Sequence, residues 1–495
     1  MQTGINIYFS DFFEVSSETV EQYGAFDIAL INDLPMFVDP FLLFNSDNEA
    51  YRHLHDEIIR YMRFLRDVSL TTDVPEAHLW GWFTFPEIKQ NWLGFSKKGN
   101  KGHGLGLDFA ANLSRNLKSV FSNFGDEKVT VGSHLEKLCL IRHGVGRDNV
   151  SDFTTNLILN FLASYTQEFA VKHISSKLRK RVAVRKTSFN YVTRTWATKS
   201  YELPFINGDY VLLTPRDILT KDDTWISRSN LLYSLEDIAY ALPNYVLRAQ
   251  VNQYLMEVIP RDTKKKKATQ EEKNEAYGRV IERFPEILDY YIRDKEDHGD
   301  EAKSVSEKRV AFIQKLFVDQ IRNFVNNYLA PAEFYKIGRD THEEAKERLL
   351  FLKNVIENKG GHRVFYIDGQ PVERESDLHI MFLFTWFGSH SVVSHEVNDG
   401  RGPVDFKISR GASDKTLVEF KLAKNPQLER NLQKQIVVYE AASDPTHPSL
   451  KAILYFSDEQ LKKVNRILDR LKLNNSPHIV LIDARADNKP SGSKA

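Results

Sequence analysis

The chain has 495 residues, enough for about three domains, each able to bury a core of its own. Hydrophobic residues make up 42% and charged residues 27%, a balance that excludes collagen-like, coiled-coil and wholly disordered chains. Lys plus Arg and Asp plus Glu both count 67, so no global basic field marks the chain for nucleic acid or an anionic membrane; any polyanion site must be a local patch.

Residues 1–150 read as an α+β domain. Met1 to Val15 carry Asp11 and Glu14 and no basic n-region, so no signal peptide is expected. The apolar runs 26–31 and 36–44 read as strands or buried turns around Pro35 and Pro40. Ser46 and Glu49 suggest a capping box, and Leu54, Ile58, Met62 and Leu65 follow at helical spacing. His55-Asp56 resembles the metal-binding doublet of phosphohydrolases, but the further His and Asp of such a site cannot be placed. Trp80, Trp82, Phe85 and Trp92 read as core packing before base stacking. Lys97 to Gly106 fits no P-loop register and reads as a surface loop. Cys139, the single cysteine, excludes internal disulfides and cysteine-cluster zinc sites, fits a reducing compartment, and reads as a small buried residue. His143 to Asp148 leads into a helix cap.

Residues 151–360 read as mostly helical. A long amphipathic helix opens at Ser151 or Asp152, with Phe153, Leu157, Phe161, Leu162, Tyr165 and Phe169 on its apolar stripe. A basic run ends it: Lys177, Arg179, Lys180, Arg181, Arg185 and Lys186. This run is the best patch for a phosphate backbone, although a solvated face is the plainer reading. Tyr210 to Leu213 looks strand-like and Ser234 to Val258 helix-like. Residues 261–275 read as an exposed charged loop. Thr341 and Glu344 suggest another capping box, and Gly360 and Gly361 stop the helix that follows. The strongest domain boundary is placed there.

Residues 361–495 carry the most informative pattern: helix 375–387, strands 392–397, 404–408 and 416–422, helix 427–442, strand 452–456, helix 458–473, strand 479–482. The apolar stretch 378–387 contains His379 and is too short to span a bilayer, so it reads as a buried helix. Alternation places Val418, Phe420 and Leu422 on one face of their strand and Glu419 and Lys421 on the other. Asp405 likewise opposes Val404, Phe406 and Ile408. If the two strands pair as a hairpin, Asp405, Glu419 and Lys421 converge. Such a group is costly to bury unless its charges pair or bind a metal, and Mg²⁺ accepts carboxylate oxygens.

These residues resemble the signature of the PD-(D/E)xK nuclease superfamily, which has the restriction-endonuclease-like fold. Pro403-Val404-Asp405 matches its first half, with Val404 interposed as members often show. Glu419-Phe420-Lys421 matches the second, 14 residues later. Glu375, 30 residues before Asp405, matches an acidic residue many members carry on the preceding helix. Gln435 and Tyr439 resemble the Q-x-x-x-Y pattern of the following helix. The resemblance covers a quarter of the chain, and no family is recognised for residues 1–360. It implies an α/β domain with a mixed sheet flanked by helices. It implies a Mg²⁺- or Mn²⁺-dependent endonuclease: Asp405, Glu419, the Phe420 carbonyl and Glu375 as metal ligands, Lys421 and Gln435 as catalytic groups, Glu396 as a reserve ligand. Arg401, Arg410, Lys424 and Lys434 could contact phosphates. Nucleic acid is the expected partner, DNA before RNA, with no membrane, and with a homo-oligomer or regulatory partner possible. A large regulator fused to such a domain looks like bacterial anti-phage defence members, in the cytoplasm. The alternative is a non-catalytic nucleic-acid- or partner-binding protein that keeps the scaffold.

Overall fold

The computed structural model describes residues 6–71, 73–94, 106–140, 147–221, 223–259, 269–330, 340–386, 392–398, 403–410, 414–433, 449–474 and 476–489. The N-terminal part runs through β1 (Met36–Val38), α1 (Glu49–Thr71), α2 (Leu107–Ser119), α3 (Arg147–Leu157), α4 (Leu159–His173), β2 (Arg179–Asn190), β3 (Thr195–Ile206) and β4 (Leu219–Lys221). The helices α5 (Arg228–Ala241), α6 (Tyr245–Val258), α7 (Gln270–Arg283), α8 (Ile287–Asp297), α9 (Gly299–Ile313) and α10 (Thr341–Asn358) follow. The C-terminal part comprises α11 (Glu375–Trp386), β5 (Val392–Asn398), β6 (Pro403–Arg410), β7 (Asp414–Leu422), β8 (Leu450–Tyr455), α12 (Asp458–Arg470) and β9 (Ile479–Asp483).

The C-terminal sheet is mixed, in the order β9-β8-β7-β6-β5. β5, β6 and β7 form an antiparallel meander, and β8 and β9 continue it in parallel. Parallel neighbours need a crossover connection, and α12 supplies the one between β8 and β9. One face, built from Val418, Phe420, Ala452 and Ile482, joins the main buried cluster of the molecule, which reaches back to Ile7. The other face packs Ile453, Tyr455 and Leu481 against Leu428, Leu432, Val464 and Ile467. α10 lies on the sheet through Thr341, whose N–H and hydroxyl bond the Asp414 carboxylate, and through Glu357, which accepts from Asp483 N at 2.9 Å.

Several local expectations are corrected. The helix expected from 151 starts at Arg147 and breaks at Ile158, dividing into α3 and α4. The basic run from Arg179 onward does not end a helix. It forms β2, paired with β3 on both sides of a bulge between Val184 and Ser188, because Val182, Val184 and Phe189 favour a pleated surface. The 234–258 segment is two helices, divided where Pro243 cannot continue the first and Asn244 caps the second. Asp340, not Thr341, caps α10, accepting from His342 N and Glu343 N. Asn48, not Ser46, accepts the N–H of Ala50 at the start of α1. Much of the 261–275 loop lies outside the described residues, but Thr269 and Glu272 form a capping box, so α7 already begins at Gln270. Gly360 does stop α10, in the left-handed conformation at φ +79° that glycine adopts without strain. No helix among the described residues is long and apolar enough to cross a membrane.

Asp152 on α3 gives the fold a marked pH dependence. Burial, reinforced by the Glu87 and Asp148 carboxylates, pushes it up to about 8. It is therefore protonated in the native state at neutral pH, whereas in the unfolded chain it ionises near pH ~3.9. The unfolded state releases that proton first, so stability falls as pH rises from about 4 towards 8, by up to ~1.4 kcal/mol per unit for one group. Buried Asp33, also raised, acts in the same direction. Asp152→Asn should raise Tm at the alkaline end of this window and flatten its pH dependence; thermal melts across the window test this, and an unchanged slope would refute it.

Candidate active site on the C-terminal sheet

Strand register brings the signature positions together. The β6–β7 ladder pairs Ile408 with Thr416, Lys407 with Leu417 and Phe406 with Val418. One residue further, the same register sets Asp405 opposite Glu419. On the other side of β6, the pairs His395–Phe406 and Val397–Val404 bracket Asp405 and set it opposite Glu396. On the other side of β7, Glu419 pairs with Lys451 and Lys421 with Ile453. Positions 396, 405, 419 and 451 thus form one charged row across four strands.

The opposite face of β7 holds this row in place. Phe420 stacks on Phe382 of α11, with centroids 3.6 Å apart, and meets Phe406 edge-on at 5.5 Å. Packing of that face turns Glu419 and Lys421 the other way. Both are buried, with 1% and 9% of their surface exposed. Burial lowers the pKa of Lys451, the Glu419 carboxylate opposes that shift, and the Lys421 ammonium adds to it. The Lys451 ammonium donates to Ser449 Oγ at 2.7 Å.

Glu375 stands at the start of α11, where the helix dipole favours a carboxylate. Its Oε1 accepts from Leu422 N at 3.1 Å and from Asn425 Nδ2 at 2.7 Å, and its Oε2 lies 3.9 Å from Lys421 Nζ. One turn later His379 Nε2 donates to the Phe420 carbonyl at 3.1 Å. Lys463 of α12 donates to the carbonyls of Ala423 and Asn425, fixing the turn after β7.

Glu375 therefore neighbours Lys421, Glu419 shares the strand face of Lys421, and Asp405 and Glu396 align with Glu419 by backbone register. The Phe420 carbonyl faces His379. Lys424 is exposed just past β7. Arg410 ends β6, paired with Asp414 in the ladder. Arg401, Lys434, Gln435 and Tyr439 lie outside the described residues. Lys177, Arg179, Lys180 and Arg181 belong to the β2–β3 region: Arg179 pairs with Glu202 at 3.4 Å, and Lys180 sits over the Phe205 ring. Residues 97–105 and His143 also lie outside the described residues. Among the tryptophans, Trp82 is buried, stacks on His78 and donates to Arg194 O, whereas Trp80 is exposed.

Sequence reasoning missed Lys451, His379 and Asn425 as parts of this site. Two signals were present. Lys451 interrupts an otherwise apolar strand on the same alternation as Ile453, and His379 is one helical turn from Glu375 within an apolar helix.

The donor chemistry fits a hard divalent cation: carboxylates from facing strands, one of them deeply buried, suit Mg²⁺ or Mn²⁺. Among the described residues, no group of three or more His, Cys, Asp or Glu is gathered closely enough to hold a metal on its own. The shared register of Asp405 and Glu419 is what supports the fit.

Residues 14–227 match a family described as a domain of unknown function (DUF8370), and residues 341–458 match a second one (DUF8371). No curated protein and no solved structure matches the chain.

The His379 bond satisfies a buried carbonyl beside the site. His379→Ala should lower unfolding stability by about 0.5–1.5 kcal/mol, the usual net contribution of one hydrogen bond. Urea titration measures this, and an unchanged midpoint would show that the bond does not anchor β7 to α11.

Proposed function

We propose that the chain is a metal-dependent nuclease of the PD-(D/E)xK type that hydrolyses phosphodiester bonds, with DNA the favoured substrate. The register that sets Asp405 opposite Glu419, with Lys421 two residues on and faced by Glu375, carries this reading. The antiparallel meander continued by parallel β8 agrees with the fold that the resemblance implies.

Asp405 and Glu419 would hold Mg²⁺ or Mn²⁺, with Glu396 in reserve. When bound, the ion neutralises developing charge and lowers the pKa of a coordinated water. Lys421 positions the attacking water and stabilises charge growing on the phosphate from a largely desolvated position. Glu375 orients Lys421 and ties it to the end of β7. Residues 1–360 sense or restrain, a plan that suits anti-phage defence.

Plasmid, linear duplex, single-stranded DNA and RNA should be incubated with the protein in Mg²⁺, Mn²⁺ or EDTA. Metal-dependent cleavage is expected for the wild type and none for the Glu419→Ala/Lys421→Ala double variant. Lys421→Ala alone should slow cleavage by on the order of 10²–10⁴-fold while the protein stays folded. Asp405→Asn should weaken Mn²⁺ binding in calorimetry. A Lys421→Ala protein that cuts at the wild-type rate would falsify the assignment.

A further inference from the structure

The N-terminal region holds a cavity lined by residues outside the C-terminal sheet. One face of α1 lines a cavity of about 700 Å³, within the size range of small-molecule pockets. His55, Asp56, Arg60 and Arg63 reach it from successive turns, as residues three or four apart do on a helix. Phe64 and Tyr191 supply aromatic walls.

The walls are built rather than incidental. The 131–133 segment is pinned from α8, where Glu296 accepts from Val131 N at 2.7 Å, Gly132 N at 2.8 Å and His134 Nε2 at 2.9 Å. At Gly132 a Cβ would come within 2.6 Å of the Phe44 ring, which also lines the cavity, so a larger residue would have to displace that ring. Arg63 donates to the carbonyl of Gly125, whose φ of +92° and contact with the Arg63 chain exclude a larger residue. The Arg60 guanidinium lies 4.3 Å from the centre of the Tyr191 ring.

His55 marks the floor. It is 4% exposed, and its Nε2 has no hydrogen-bond partner among the described residues. His55 thus contributes to the cavity wall while its unpaired nitrogen stays enclosed behind that wall, beside the His134 ring. Burial, with His134 nearby, pushes its pKa down to about 3, so the ring is neutral at physiological pH and offers one donor or one acceptor. The His-Asp doublet noted in the sequence is thus divided between two roles: His55 buried, Asp56 exposed at the rim.

We propose that this cavity binds a free nucleotide. Its phosphate meets Arg60 and Arg63, whose planar guanidinium groups suit phosphate oxygens. Asp56 accepts from the ribose hydroxyls, and the base lies against Phe64, beside the Tyr191 ring that the Arg60 guanidinium covers. Asp67, the other acid at the rim, is paired with Arg66 at 2.8 Å.

The test is isothermal calorimetry on the full-length protein with the common ribonucleoside mono- and triphosphates, adenosine, inorganic phosphate and a 5′-phosphorylated oligonucleotide. Saturable binding of at least one nucleotide is expected, with adenosine and phosphate each at least about tenfold weaker, because each lacks half the contacts. Arg60→Ala, a surface change, should weaken that nucleotide at least about tenfold. The Glu419→Ala/Lys421→Ala protein should bind as the wild type does, so this site stands or falls apart from the nuclease reading. The proposal is overturned by no saturable binding at millimolar nucleotide, by affinity indifferent to Arg60→Ala, or by binding of the oligonucleotide alone.

Discussion

The C-terminal domain depends on the register between β6 and β7. Phe406 faces Val418, and everything charged follows from that pairing. Side chains alternate along a strand, so a slip of one residue would turn Glu419 and Lys421 into the apolar face and expose Phe420 and Leu422. The stack of Phe420 on Phe382 and the edge contact with Phe406 resist that slip. The same apolar layer that stabilises the sheet therefore forces a carboxylate and an ammonium into a buried position on its far side.

α11 is the second fixed point. Glu375 holds it to the end of β7, His379 holds it to the Phe420 carbonyl, and Asp377 pairs with buried Lys221 of β4 at 3.3 Å. β4 lies in the part of the chain that matches one family of unknown function, and α11 in the part that matches another. A buried ion pair is strongly destabilising to break, because the remaining partner is left uncompensated. This contact joins the N-terminal region to the helix that carries Glu375.

Much of the C-terminal sheet was legible from periodicity. The three antiparallel strands of seven to nine residues alternate apolar and polar residues along their length. Asp405, Glu419 and Lys421 were visible because charged residues interrupt apolar alternation along their strands, and Glu375 through the family resemblance alone. Lys451 and Asn425 were not, since their relevance depends on which strand lies beside β7 and how the turn after it folds. In the N-terminal region the basic run misled: a row of lysines and arginines states charge, and only pairing with β3 makes it a strand. His55 was visible as a residue, but its burial and the cavity beside it come from segments 70 or more positions away in the chain.

The sequence by itself determined the strands of residues 361–485, the helices that open at Glu375 and Asp458, and which residues share a face of each strand, because those depend on local geometry of period two or 3.6. Most of the helix expected at 427–442 lies outside the described residues. It also excluded disulfides and a global basic field, which are matters of composition. Only the tertiary structure decided that Glu419 stands between Asp405 and Lys451, that α11 clamps the end of β7, and that α1 faces a cavity closed by residues 131–133 and Tyr191. These are contacts between residues distant in the chain. They are selected by how apolar faces of different elements pack together, and no local pattern encodes that choice.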